Sequence, residues 1–136
     1  MTKHILCATD GSSHSEKAVS YAADLARLSN SKLTILAVRP FTMGRGGVMP
    51  LWDEADVIKA LAAAEDLAKK AGASDVKTSQ AEAPDIAEAI LTVARQAHAD
   101  QIVVGSAGKG AIKRAVIGSV STQVVNHARC PVTVVH

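Results

Sequence analysis

The chain has 136 residues, with 15 basic and 13 acidic side chains and a formal net charge of +2. That length leads us to expect one domain spanning residues 1–136 with a full core, and so small a charge imbalance provides no strong field for a polyanionic partner. Aromatic residues are limited to Tyr21, Phe41 and Trp52, so the platforms that stack nucleic-acid bases are missing.

The N-terminal residues Met1 to Ile5 enter an apolar strand pattern with no secretory apolar region, and no apolar run approaches membrane-spanning length, so a cytoplasmic location is expected. In that compartment Cys7 and Cys130 read as small buried apolar residues rather than a disulfide.

His4 to Ala8 form the first predicted strand, and Thr9, Asp10, Gly11 and Ser12 the turn that leaves it. Ser13 and Glu16 make a capping-box pattern that opens a helix. Its apolar face is read as Ala18, Tyr21, Ala22, Leu25 and Leu28, ending near Ser29 and Asn30. A second buried strand follows at Lys32 to Val38, and a strand, helix and strand this close together fix a parallel pair with a right-handed crossover.

Arg39 to Pro50 has no regular period and reads as a long loop of the kind that serves as a lid. A helix runs from Asp53 to Ala71 and Gly72, with Val57, Ala60, Leu61, Ala64, Leu67 and Ala68 on its inner face. Asp75 to Ala81 is more polar and belongs at a sheet edge. Pro84 and Asp85 open a third helix whose stripe is Ile86, Ile90, Val93, Ala94 and Ala97. Ile102 to Val104 is a fourth strand, Gly118 and Ser119 lead into a fourth helix with Ser119 as a good cap type, and Val132 to Val135 is the last strand.

This alternation predicts an α/β fold: an open, doubly wound, Rossmann-like parallel sheet of five strands in the order 3-2-1-4-5, with four helices. In that order the winding reverses between strands 1 and 4, and ligands bind outside the strand ends at such a switch point. Asp10 leaves strand 1 and Gly105 leaves strand 4. Gly105, Gly108 and Gly110 permit positive φ and close approach to main-chain N–H groups. The start of the fourth helix adds unsatisfied amides and a partial positive charge, which suit a phosphate. A Walker A loop is excluded because Ala111 and Ile112 stand where Lys and Ser/Thr are required. A dinucleotide fingerprint fails because Lys113 replaces its third glycine.

The residues resemble the universal stress protein family. Gly105, Gly108, Gly118 and Ser119 reproduce the glycine pattern of its ATP-binding branch, and Ile5 to Ser12 and Cys130 to Val135 are similar to the family's two ends. The resemblance implies a stress-response regulator that binds ATP or AMP, with Val38 offering backbone contacts to the base. Ala8, Thr9 and Asp10 would lie beside the nucleotide, Asp10 near the ribose, the phosphates or a Mg2+ or Mn2+ ion. Gly105, Ser106, Gly108, Lys109, Gly110 and Ala111, with Gly118, Ser119, Val120 and Ser121, would hold the phosphates. It also implies a homodimer through Pro131 to His136, for which an exposed apolar edge strand is an independent reason. Ala107 and Glu82 depart from the family pattern, which often carries a basic residue and a glycine at these places.

Asp10 also reads as a turn cap before the first helix. His14 reads as exposed, and His98 and His127 as cations near helix C-termini. No nucleophile, base and orienting acid occur in a recognisable arrangement. Two rival readings are a slow ATP hydrolase or self-phosphorylating protein using Asp10 and Ser119 or Ser121, and an interaction module independent of nucleotide.

Overall fold

In the computed structural model, which describes residues 2–107 and 117–136, the apolar runs are strands and the segments of helical period are helices. In chain order these are β1 (His4–Thr9), α1 (Ser13–Ser29), β2 (Lys32–Gly44), β3 (Gly47–Pro50), α2 (Glu54–Lys70), β4 (Val76–Ala83), α3 (Ile86–Gln96), β5 (Gln101–Gly105), α4 (Ser119–His127) and β6 (Val132–Val135). β1 pairs in parallel with β2 and with β5, β2 with β4, and β5 with β6. The parallel strands therefore follow β4-β2-β1-β5-β6, which is the predicted order.

One strand was not expected. The segment read as a long loop forms a β-hairpin, in which the elongated β2 pairs antiparallel with β3 from Phe41↔Pro50 to Gly44↔Gly47. Arg45 and Gly46 make its two-residue turn, and Gly47 takes a φ of +100° that favours glycine. Paired residues share a face, so Met43 and Val48 project together, Met43 at 72% exposure.

The sheet separates two apolar layers because alternate strand residues face opposite sides. Ile5, Cys7, Leu33, Ile35 and Val103 pack with α1 and α2, whereas Leu6, Leu36, Ile102 and Val104 pack with α3 and α4. Burying one such aliphatic side chain contributes about 1.5–3 kcal/mol. Along α1 the buried face is Ala18, Val19, Ala22, Ala23 and Ala26, while Tyr21 and Leu28, read as inward, are exposed at 46% and 75%. Small side chains win the inner face because they let the helix lie close to the sheet.

Helix starts shift by one residue at α1 and α4 and by two at α3, where the helix begins at Ile86 rather than Pro84. Ser12, not Ser13, caps α1: its Oγ accepts from the Ser15 N–H at 3.3 Å, and its carbonyl accepts from the Glu16 N–H at 3.0 Å. Asp85 is the N-cap of α3 and accepts from the Glu88 N–H at 3.1 Å. Gly118, rather than Ser119, is the N-cap of α4, with no side-chain capping bond. Asn30 closes α1 in the left-handed conformation that its residue type tolerates. His98 also takes a positive φ just past α3, and His127 Nδ1 donates to the Gln123 carbonyl at 2.9 Å.

Candidate functional site

The order β2-β1-β5 places the carboxyl ends of β1 and β5 side by side, with α1 starting from one and the segment toward α4 from the other. At the end of β1 nearly every polar group is engaged internally. Thr9 is buried, donates its hydroxyl to Ser15 Oγ at 3.0 Å and accepts the Gly11 N–H at 3.2 Å. Asp10 Oδ1 accepts the Ser12 N–H at 2.9 Å, which is the turn-capping arrangement. Gly11, absent from the sequence-based site, makes the turn possible with a φ of +81°.

Val38 sits one step beyond the last β1–β2 pair, Thr9↔Ala37. The Lys32 N–H donates to Lys3 O and the Leu33 N–H to Asp75 O, so even-numbered β2 residues direct their backbone groups toward β1 and odd-numbered ones toward β4. Continuing that alternation sets the Val38 carbonyl opposite the Gly11 N–H. That N–H goes to Thr9 Oγ1 instead, so the ladder stops short of the Val38 carbonyl at the crevice. The Val38 side chain points the other way, into the layer with α3 and α4.

The end of β5 is tied to β6 and to the start of α4. The Ser106 N–H donates to Val135 O at 2.8 Å, the Gly118 N–H donates to Ser106 O at 2.6 Å, and Ser121 Oγ donates to Gly105 O at 2.5 Å. Gly118 and Ser121, both read as phosphate ligands, thus spend a donor inside the protein. The next three amides of α4, on Ser119, Val120 and Ser121, precede its first intrahelical bond and have no partner among the described residues. They give this corner a local positive potential.

At Gly105 and Gly118 the close approach expected of a glycine is made by the protein's own backbone. Neither Gly105 nor Gly118 has a positive φ; what matters is the missing Cβ. A Cβ on Gly105 would lie 3.0 Å from the His14 carbonyl oxygen, and one on Gly118 would lie 3.3 Å from the Ser106 oxygen. Gly105 therefore lets the first turn of α1 press against β5. His14 is half-buried rather than exposed, and its Nδ1 is buried with no hydrogen-bond partner among the described residues. Gly108, Lys109, Gly110 and Ala111 lie outside the described residues.

A groove of about 570 Å³ runs from Thr9 and Gly11 between α1 and α2, with Val19, Trp52 and Leu67 among its apolar lining. Glu82 does not fill the crevice: its carboxylate pairs with Arg39 at 3.2 Å. No cluster of three metal-ligating side chains occurs among the described residues. Asp10 supplies one carboxylate at this corner, and its Oδ1 accepts a backbone bond.

A doubly wound parallel sheet, with a turn carboxylate and an uncapped helix start at the ends of adjacent central strands, defines an α/β protein of the Rossmann-like type. The universal stress protein family model matches residues 1–136, and the chain belongs to that family. It is 32% identical over 139 residues to a universal stress protein of Mycobacterium tuberculosis, covering 97% of this chain and 47% of that protein. The chain thus spans about half the length of this relative. It is 32% identical to a universal stress protein of Staphylococcus haemolyticus, covering 98% of this chain and 84% of that one. Among solved structures, one from Lactobacillus plantarum superposes with a TM-score of 0.85 at 25% identity, covering 99% and 98% of the two chains. A universal stress protein in complex with cAMP superposes with a TM-score of 0.79 at 30% identity, covering 99% and 97%. No helix among the described residues is long and apolar enough to cross a membrane.

Proposed function

We propose that residues 1–136 form one domain that binds an adenine nucleotide, ATP or AMP, at the adjoining ends of β1 and β5. The observation that carries this reading is the set of amides on Ser119, Val120 and Ser121, which have no partner among the described residues and are held at the end of β5 by the Gly118 and Ser121 hydrogen bonds. Anionic oxygens suit such a helix start, and the Val38 carbonyl is aimed at the same crevice, where it would accept from an exocyclic amine of the base. The cAMP complex of a 30% identical family member supports the adenine part. If ATP brings Mg2+ or Mn2+, Asp10 would be the residue to hold the ion, which would offset the charge of the phosphates. The loop residues Gly108, Lys109, Gly110 and Ala111 take their phosphate role from the family resemblance.

Family membership extends the reading to a cytoplasmic stress-response regulator that acts as a homodimer. Among the described residues β6 pairs with β5 alone, and an edge strand of this kind favours pairing with a second copy. Binding with no turnover is sufficient for this role.

Native mass spectrometry of freshly purified protein should reveal retained AMP or ATP on a dimer. Calorimetry should give tighter binding of ATP and AMP than of GTP, with Mg2+ improving ATP binding in the parent but not in Asp10→Ala. Absence of any retained nucleotide, together with no heat from ATP or AMP at millimolar concentration, would end the nucleotide reading. A monomer at micromolar protein would end the dimer reading separately.

A further inference from the structure

Arg39 immediately follows Val38 and pairs in register with Glu82 across β2 and β4. Its side chain is only 15% exposed. The guanidinium faces two ways: Nε donates to the Trp52 carbonyl at 2.6 Å, and Nη1 donates to Glu82 Oε1 at 3.2 Å. Trp52 is 8% exposed, and its Cζ2 would lie 3.5 Å from a Cβ built on Gly11. One guanidinium thus joins the Glu82 carboxylate of β4 to the main chain of Trp52, the residue whose indole packs on the turn bearing Asp10.

We infer that Arg39 is a positioning residue for the nucleotide crevice, an inference that rests on the nucleotide reading. It keeps the Glu82 carboxylate engaged at the sheet edge, where that charge would otherwise oppose an anionic ligand, and it fixes Trp52 against the Gly11 turn. A planar fork makes both bonds at once, and an ammonium does not reproduce that geometry. The arrangement also explains how the chain accommodates a carboxylate at residue 82, where the family pattern often has glycine.

Trp52 is the only tryptophan, so its emission reports how the backbone bond from Arg39 seats the indole. Arg39→Ala should shift that emission to longer wavelength, raise its quenching by acrylamide, and raise the ATP dissociation constant about 5- to 30-fold, which corresponds to about 1–2 kcal/mol. Arg39→Lys should recover part of both signals. Glu82→Gln, which leaves the Trp52 bond in place, should keep the parental emission and bind ATP at least as tightly as the parent. Circular dichroism checks that each variant is folded; if Arg39→Ala is not, Arg39→Lys and Glu82→Gln carry the comparison. Parental emission in the Arg39 variants, or an emission change with unaltered ATP affinity, overturns the proposal. A parent that binds no nucleotide instead removes the nucleotide reading, and this proposal falls with it even where emission responds as expected.

Discussion

Gly105→Ala places a methyl group 3.0 Å from the oxygen and 3.1 Å from the carbon of the His14 carbonyl. Both are backbone atoms in the first turn of α1, and that turn has little room to yield. The Glu16 N–H is on Ser12 O at 3.0 Å, and Thr9 holds Ser15 at 3.0 Å. Overpacking of this kind costs about 1–3 kcal/mol. Replacing glycine by alanine recovers roughly 0.4–1 kcal/mol through the unfolded chain, leaving a net loss of about 0.5–2 kcal/mol. For a chain of this length that is roughly 2–10 °C in melting temperature. Urea titrations at constant slope measure it, with Gly46→Ala as the control, since a Cβ there meets nothing within 4 Å. Because the strained turn leads back to Asp10, ATP affinity should fall in Gly105→Ala and hold in Gly46→Ala. Gly105→Ala with parental stability would refute the claim that the missing Cβ, rather than backbone freedom, is why residue 105 is glycine.

Ser121→Ala removes the buried bond to Gly105 O and should lower stability by about 1 kcal/mol, read from the urea midpoint; no change would place that hydroxyl outside the native network. The Asp100 carboxyl is held below its usual pKa by hydrogen bonds from the Lys3 and His4 N–H groups, at 2.8 and 2.9 Å. A lowered folded pKa stabilises above the unfolded value, about 3.9, and that contribution is lost as pH falls through the folded one. Urea midpoints measured from neutral pH down through that range should therefore decline less steeply in Asp100→Asn than in the parent, and equal slopes would contradict the assignment. Burial pushes the Cys7 thiol up to about 12, and burial followed by the Asp100 charge raises that of Cys130. A thiol reagent at mildly alkaline pH should label Cys130 slowly and Cys7 only after unfolding; two equivalents at one rate in the native protein would show that Cys7 is accessible.

The parallel framework was legible because strand and helix periods alternate cleanly and each apolar run ends at a turn residue. The hairpin was missed because Pro40, Pro50 and three glycines within residues 39–50 hide its alternation. Phe41 and Met43 on one side of the glycines and Val48 on the other were the available signal. The α1 stripe failed differently: hydrophobicity favoured Tyr21 and Leu28, whereas close approach to the sheet selects alanine. Adjacent hydroxyls at Ser12 and Ser13 compete for one cap, and a pattern read along the chain does not separate them. At the site, the sequence placed Asp10 just past β1, Gly105 at the end of β5 and Ser119 to Ser121 at the start of α4. It did not reveal that Thr9, the Gly118 N–H and the Ser121 hydroxyl are already satisfied, because those partners arise only from tertiary contact.

The alanine-lined underside of α1 has a mechanical corollary. With small side chains as spacers, any larger side chain at Ala18 or Ala22 levers the whole rod outward, and its leading end, seated on Gly105, moves with it. A saturation screen scored by ligand retention should therefore recover these interior positions beside those at the mouth, although they lie turns away along the helix. Interior volume and the gap between the two strand tips behave as one dimension.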